Sequence, residues 1–408
     1  MNAPVTRPAA RRIAGDAEAI ETAIVLAAQF APGAAQRDRD RILPWAEVEA
    51  FSASGLWAIT VPRSFDGPAL SNVTLARVIA LIAAADGSLG QIPQNHFAVL
   101  EALRLHGTPD QQDFFFRRVL AGDRMGNATA EPGDKRPKDH ATSLHRTAGR
   151  LRLQGRKLYS TGALFAHWVP VSATDEAGAH VTVFVPRGAP GLTIVDDWSS
   201  FGQRTTASGT VIIEDVAVEP LWVLRRAQAG APVDTGNAVS QLVHTAIDLG
   251  IARAAIDDTL HFFRVLAHPA RGSGVAMPTD DPLALREIGA LTLQYHAAEA
   301  LVERAGRLVD AAQASTAPTD AAAALIAVVE AKIVTTEIAL AATNKLFELA
   351  GTQSTLLEHG LDRHWRNART HTLHDGVRWK YHALGEFVLN GRLCDPWTLG
   401  HPYTPTLG

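Results

Sequence analysis

The chain has 408 residues, 47% of them apolar and 20% charged, with a formal net charge of −4. That length exceeds what one small core fills, so two or three packed subdomains are expected; the near-neutral balance gives no electrostatic footprint for nucleic acid or an anionic membrane. A single cysteine, Cys394, excludes an internal disulfide framework and any site built from several thiolates, in keeping with a reducing cytoplasm.

Residues 1–14, rich in Pro, Ala and Arg, read as a tail. Asp16, Glu18 and Glu21 stand where a secretory signal would be apolar, which argues against export. Residues 15–122 form the expected N-terminal helical domain. "AEAIETAIVLAAQFAPGAA", "LPWAEVEAFSASGLWAI" and "TLARVIALIAAADGSLG" repeat apolar residues three and four apart. "DQQDFFFRRVLAGD" does the same, opening after Thr108-Pro109 and closing at Gly122.

From 123 to 234 the pattern becomes a middle β domain, with short runs in "LRLQGRKLYSTG", "WVPVSAT", "HVTVFVPR", "LTIVDDW" and "GTVIIEDVAV". "DEAGAH" at 175–180 is a hairpin connection. The helical period returns over 235–395 in segments 238–266, 282–312, 319–350 and 361–390, predicting a C-terminal helical bundle; 396–408 is a second tail. The longest apolar segment is interrupted by Glu330, Lys332, Glu337 and Lys345 and makes no comfortable membrane span. The fold class is therefore mainly α with a central β domain, and the element order argues against a doubly wound sheet.

Four clusters carry candidate chemistry. In "RTHTLHDGVRWKYHALG" (369–385), His371, His374, Arg378 and His382 would share one stripe of a helix, with Asp375 about a third of a turn away. A metal would need ligands that this stripe does not offer; a solvated face and proton chemistry near neutral pH are the remaining readings. In "GNATAEPGD" (126–134), Asn127, Thr129 and Glu131 alternate and so share one face, which is either solvated or open to a flat ligand past Gly126, Ala128 and Ala130. "GRKLYSTGALFAHW" (155–168) ends a strand with Tyr159, Ser160 and Thr161, hydroxyls suited to a heteroaromatic edge. "WSSFGQRTTASGT" (198–210) sets Gln203, Arg204, Thr205, Thr206 and Ser208 in a polar turn, an anion cradle or an ordinary loop.

In this order the clusters resemble the acyl-CoA dehydrogenase superfamily, from about residue 20 to 392. "ATAEPGD" resembles its flavin-proximal "T-E-P-x-x-G-S-D". "GRKLYSTG" resembles "G-x-K-x-W-I-T-N", with Thr161 on the flavin-contacting threonine and Tyr159 on the aromatic. "FGQRTTASGTVIIEDVAVEP" and "LFELAGTQSTLLEHGLDRHWRNARTH" are similar to two further family segments. The resemblance implies an N-terminal helical domain, a middle β-barrel-like domain and a C-terminal four-helix bundle. Two departures bear on function. Where dehydrogenases carry a base glutamate in "Y-E-G-T", this chain has "LHDGVRW", whose Asp375 is one methylene shorter. The "R-x-x-F-G" segment that helps hold FAD is replaced by "VLAHPARGSG", with His268 and Arg271. An FAD-dependent acyl-CoA dehydrogenase using Asp375 or another carboxylate is thus the alternative.

"QIPQNHFAVLEALRLHG", "YSTGALFA" and "WRNARTHTLHD" are more similar to the flavin-dependent monooxygenase branch, the sulfur acquisition oxidoreductases related to dibenzothiophene and methanesulfinate monooxygenases. This resemblance implies a cytoplasmic homotetramer that takes reduced FMN from a separate NAD(P)H-dependent flavin reductase. It would insert one oxygen of O2 into a small organosulfur compound through a C4a-(hydro)peroxyflavin. A nitrogen-centred substrate and a non-catalytic flavin-binding protein stand as alternatives. The resemblance puts His96, His371 and His374 in the active site with Asp375 beside them. It puts the flavin against 125–131 and 159–162, which enlists Asn127, Thr129, Tyr159, Ser160 and Thr161. Arg204 or Arg378 would pair with the FMN phosphate or an anionic substrate. No metal is implied, and Lys380 and His382 are expected to be solvated bystanders.

Overall fold

The structure, a computed structural model, describes residues 10–132, 141–226, 234–269 and 271–393. Most of both predicted tails, Cys394 and the Gly133-Asp134 end of "ATAEPGD" lie outside the described residues. In the N-terminal third, apolar spacing and helix-end chemistry agree. Helix α1 (Asp16–Asp40) buries Ala19, Ala23, Leu26, Phe30 and Ala34 along one stripe, with acidic residues in its first turn and Arg37 and Arg39 in its last. Ser71 caps α3 (Asn72–Ala85) by accepting the Thr74 amide, and Asp86 caps the short α4 (Gly87–Gln91). Between them and α1 lies α2 (Trp45–Ala53). Helix α5 (Gln94–His106) leads to α6 (Pro109–Leu120), which opens with a capping box of Thr108 and Gln111 and with proline at its first position.

Seven strands follow: β1 (Ser143–Thr147), β2 (Arg150–Lys157), β3 (Trp168–Asp175), β4 (His180–Pro186), β5 (Leu192–Val195), β6 (Thr210–Val218) and β7 (Val223–Arg225). They form one mixed sheet in the order β5-β6-β2-β1-β3-β4-β7, antiparallel except where β1 meets β3. The turn after Asp175 makes the expected hairpin, with Thr174 opposite His180. Periodicity did not reveal β1 or β7, which are short and carry few apolar residues.

Helices α7 (Gly236–Val265), α8 (Pro282–Gln313) and α9 (Pro318–Ala350) build most of the bundle. The segment expected as one helix over 361–390 is instead two, α10 (Asp362–His371) and α11 (Val377–Asn390), separated by a turn. Gly376, a poor helix former, takes extended backbone there and caps α11, while Thr372 and Asp375 of the turn are buried. The stripe of His371, His374, Arg378 and His382 therefore does not exist as one helical face.

The two helical regions share one apolar core. Leu75, Val78, Ile79 and Ile82 of α3 belong to the same cluster as Leu242, Val243, Ile247 and Ile251 of α7. A second cluster lies within the sheet, and a third joins α5 and α6 to it through Phe115, Phe116, Trp168 and Phe184. No helix among the described residues is long and apolar enough to cross a membrane. Helices α3 and α7 approach closely at Gly250, where a β-carbon would stand 2.4 Å from the Ala80 carbonyl oxygen and 2.7 Å from the Ala83 methyl. Gly250→Val must push the helices apart and should cost about 1–3 kcal/mol, read as a lower denaturant midpoint. An unchanged midpoint would contradict this packing.

Candidate active site

One wall of the site is set by α5. Asn95 Nδ2 donates to the Gly126 carbonyl at 2.6 Å, and the Met125 amide donates to His96 Nδ1 at 3.1 Å. His96 Nε2 then carries the proton and donates to the Trp57 carbonyl at 2.6 Å. Burial pushes this imidazole down to about 4, so it is neutral with both nitrogens engaged. His96 pins the backbone ahead of Asn127 and makes no described contact with His371 or His374.

Residues 125–130 join the sheet only through isolated bridges. Asn127 and Thr129 do share a face, linked by a Thr129 hydroxyl donating to Asn127 Oδ1 at 2.8 Å, and Asn127 Nδ2 lies 3.5 Å from the Tyr159 carbonyl. Glu131 does not join them. Its carboxylate is drawn inward onto the fully buried Lys157 at 2.7 Å and onto the amides of Ala141 and Thr142. Burial alone would raise this carboxyl, but the Lys157 ammonium and those amides bring it to about 2.

Beside this run, backbone bonds strap 160–162 to 206–209: the Ser160 amide donates to Gly209 and the Gly162 amide to Thr206. Hydroxyls line the seam, with Thr161 and Thr206 each 2.7 Å from Ser208 Oγ. Tyr159, Gln203 and Ala207 all have left-handed backbone, at φ of 52°, 50° and 48°. Side chains other than glycine rarely adopt this conformation, and such strain concentrates at functional sites. Ser160 Oγ and both amide atoms of Gln203 are buried with no hydrogen-bond partner among the described residues. Buried polar atoms are nearly always partnered in native proteins, so these point to a ligand with a polar edge. Tyr159 itself is 61% exposed. Arg204, half-buried on the same loop, has its Nε in the same unpartnered condition, whereas Arg378 is exposed in the first turn of α11.

The second wall lies in the bundle, where Asp248 of α7 and Lys332 of α9 are fully buried and paired at 2.5 Å. His371 Nδ1 meets the other oxygen of Asp248 at 2.5 Å, and His371 Nε2 lies 3.0 Å from His244 Nδ1. The His244 ring stacks on His374 with centroids 4.0 Å apart. His374 Nδ1 is 3.3 Å from Asp375 Oδ2, which also accepts from Gln241 Nε2 at 2.8 Å. Lys380 donates to Gln241 Oε1 at 3.1 Å and is 2% exposed, so it is no bystander: the break before α11 turns it into the bundle. His382 is exposed. Two carboxylates thus face two ammonium groups, a network that is neutral with neutral imidazoles.

Helix α10 joins the walls. Asn367 and His371, four residues apart, lie on one face. The former accepts the Gln203 backbone N–H at 2.7 Å and the latter reaches Asp248. Gly202 allows this, since a β-carbon there would fall 1.9 Å from the Arg366 carbonyl oxygen. Arg366 binds the Phe201 carbonyl at 2.8 Å and pairs with Asp38 of α1. The structure therefore brings His371, His374 and Asp375 together and puts Asn127, Thr129, Tyr159, Ser160 and Thr161 along the other wall. Sequence reasoning missed Gln241, His244, Asp248 and Lys332. The available signal was "QLVHTAID", polar residues at helical spacing inside an otherwise apolar helix. Among the described residues no histidine, cysteine, aspartate and glutamate cluster is arranged to hold a metal ion.

The acyl-CoA dehydrogenase N-terminal domain family matches residues 20–123, and the acyl-CoA dehydrogenase C-terminal domain family matches residues 242–379. Dibenzothiophene monooxygenase of Mycolicibacterium goodii is 32% identical over 92% of this chain and 95% of its own length. The probable FMNH2-dependent monooxygenase SfnC of Pseudomonas putida is also 32% identical, over 97% and 99%. The complex of Paenibacillus sp. A11-2 TdsC with FMN and indole superposes with a TM-score of 0.87, at 29% identity over 93% of this chain and 98% of that one. Methanesulfinate monooxygenase MsuC of Pseudomonas fluorescens gives 0.85 at 31% identity, over 92% and 98%.

Burial holds His96, His244 and His371 below the ordinary imidazole value. The unfolded chain gains these protons as pH falls through about 6.5, while the native chain does not. Their stability contribution is therefore complete above about 6.5 and declines toward about 4, where His96 itself protonates. Denaturant titrations across this window should show the decline, and His96→Gln should make it shallower. Stability that is flat or rises on acidification would contradict the assignment.

Proposed function

The chain belongs to the acyl-CoA dehydrogenase family, in its flavin-dependent monooxygenase branch, and from that membership we propose that it uses reduced FMN to transfer one oxygen atom from O2 to a small organosulfur compound in sulfur acquisition. A separate flavin reductase supplies the reduced cofactor, and the working protein is a homotetramer.

The observation that carries this over a dehydrogenase is the condition of Asp375, which stands at the position of the dehydrogenase base. It is buried, bonded to Gln241 and flanked by His374 and Lys380. Burial would raise it, but His374 and Lys380 hold it far below the usual carboxylate range. So weak a base is poorly matched to removing a proton from carbon. Imidazoles, whose free value lies near neutrality, suit the proton transfers of oxygenation.

The unpartnered Ser160 hydroxyl and Gln203 amide fit the alternating donors and acceptors of a flavin edge, as do the Asn127, Thr129 and Thr161 side chains. Tyr159 covers the ring. Arg204, with its buried unpartnered Nε, is the better placed arginine for the phosphate, leaving Arg378 for an anionic substrate. When bound, reduced FMN supplies the electrons that activate O2. His371 and His374 hold protons at the site, and Asp375 orients His374.

Two measurements test this. Mixing the anaerobic protein and reduced FMN with oxygenated buffer, in stopped flow, should show a transient absorbing species before oxidised flavin, shorter-lived when a sulfinate or sulfide substrate is present. Direct reoxidation, together with anaerobic bleaching of bound flavin by an acyl-CoA, would return the chain to the dehydrogenases. Ser160→Ala should weaken FMN binding by about 0.5–1.5 kcal/mol, a roughly two- to tenfold rise in Kd by fluorescence titration. Unchanged affinity would remove Ser160 from the flavin wall.

A further inference from the structure

The hydrogen-bond partners of the buried network fix where its protons sit. Asp248 is ionised: burial would raise its carboxyl, but Lys332 and His371 bring it to about 2. It accepts from Lys332 Nζ and Thr336 Oγ1 on one oxygen. A carboxylate only accepts, so the 2.5 Å contact on its other oxygen is donated by His371 Nδ1. Neutral His371 then has a bare Nε2, and its 3.0 Å bond must be donated by His244 Nδ1. Neutral His244 in turn has a bare Nε2, and this is the atom that is buried with no hydrogen-bond partner among the described residues.

We propose that His244 is the proton acceptor of this active site, presenting Nε2 to the bound reactant, with His371 and Asp248 as positioning residues that act through it. The inference rests on the monooxygenase reading for its chemistry, although the tautomers do not depend on it. An O–H or N–H of the reactant gives its proton to His244 Nε2, and the bonding pair stays on the reactant heteroatom. The His244 Nδ1 proton passes to His371 Nε2. His371 keeps its own Nδ1 proton, so the new positive charge comes to rest against Asp248. That displacement has a physical reason. Burial opposes a charge on the His244 ring, as do the groups facing it: His374 from the turn, His371 from α10, Lys332 from α9 and Lys380 from α11; at His371 the Asp248 carboxylate works against burial and favours the charge. Asp375 is already engaged by Gln241, His374 and Lys380, and among the described residues His371 is the one imidazole bonded to the Asp248 carboxylate.

The test uses the full chain without flavin, labelled with 15N-histidine, with His244→Gln and His371→Gln assigning the resonances. Both residues should be neutral Nδ1–H tautomers with unprotonated Nε2. The paired variant Asp248→Asn with Lys332→Met leaves no lone buried charge, and in it His371 should lose its single tautomer. In turnover with reduced FMN, His244→Gln should lower kcat by about 10²–10⁴-fold and abolish the fall in rate on the acid side. A proton on His244 Nε2, or a His244→Gln variant with the acid limb intact, overturns the proposal. If the wild-type protein oxygenates nothing while both tautomers are as assigned, the proposed function fails and takes the catalytic role of His244 with it; the hydrogen-bond chain is unaffected.

Discussion

A carboxylate placed without solvent at the centre of a helical bundle has to be compensated on every side. Leaving one charge of such a pair unmatched costs about 3–5 kcal/mol. Asp248 meets this demand with Lys332 and Thr336 from α9 and His371 from α10. Those partners hold the C-terminal end of α10 against α7 and α9 in one register. A well-packed apolar pair of similar volume would serve stability as well or better. What the ionic cluster supplies is a defined direction for each imidazole proton, which an apolar contact cannot give.

From that anchor the geometry propagates outward. Helix α10 carries Asn367 on the face of His371, so holding one holds the other, and the Gln203 backbone N–H follows at 2.7 Å. Gly202 permits the loop to meet the helix backbone directly, and Arg366 ties both to Asp38 of α1. The hydroxyl seam of Ser160, Thr161, Thr206 and Ser208 is thereby held opposite the bundle. On the far side, Asn95 and His96 of α5 fix the backbone at 125–126. Three separate regions of sequence thus converge through hydrogen bonds to main-chain groups, which demand closer positioning than apolar contact does.

The break at 372–376 decides which side chains take part. In a continuous helix Lys380, nine residues after His371, would lie on the opposite face. With the turn, Asp375 is buried beside His374 and Gln241, and Lys380 reaches the same amide. The local sequence offered one sign of this, a glycine within a polar stretch, and Gly376 is where α11 begins.

Much of the fold was legible in order and type, because apolar spacing of two or of three and four reports which face of an element is buried. The runs that became β2 to β6, the hairpin after Asp175 and the long helices α7, α8 and α9 were all written in that pattern. The short strands β1 and β7 were not, since five and three residues carry too little periodicity. Of the site, the sequence by itself supplied the residue types and, through its likeness to a family, the stretches that would face one another. Only the tertiary structure decided which of them bond. It drew Glu131 inward to Lys157, gave His96 to the backbone, and set His244 and Lys332, inconspicuous within apolar helices, at the centre of the polar network. The reason is that burial and pairing are properties of neighbours distant in the chain. A histidine or lysine on a helix reads alike in sequence whether water or an opposing carboxylate lies beyond it.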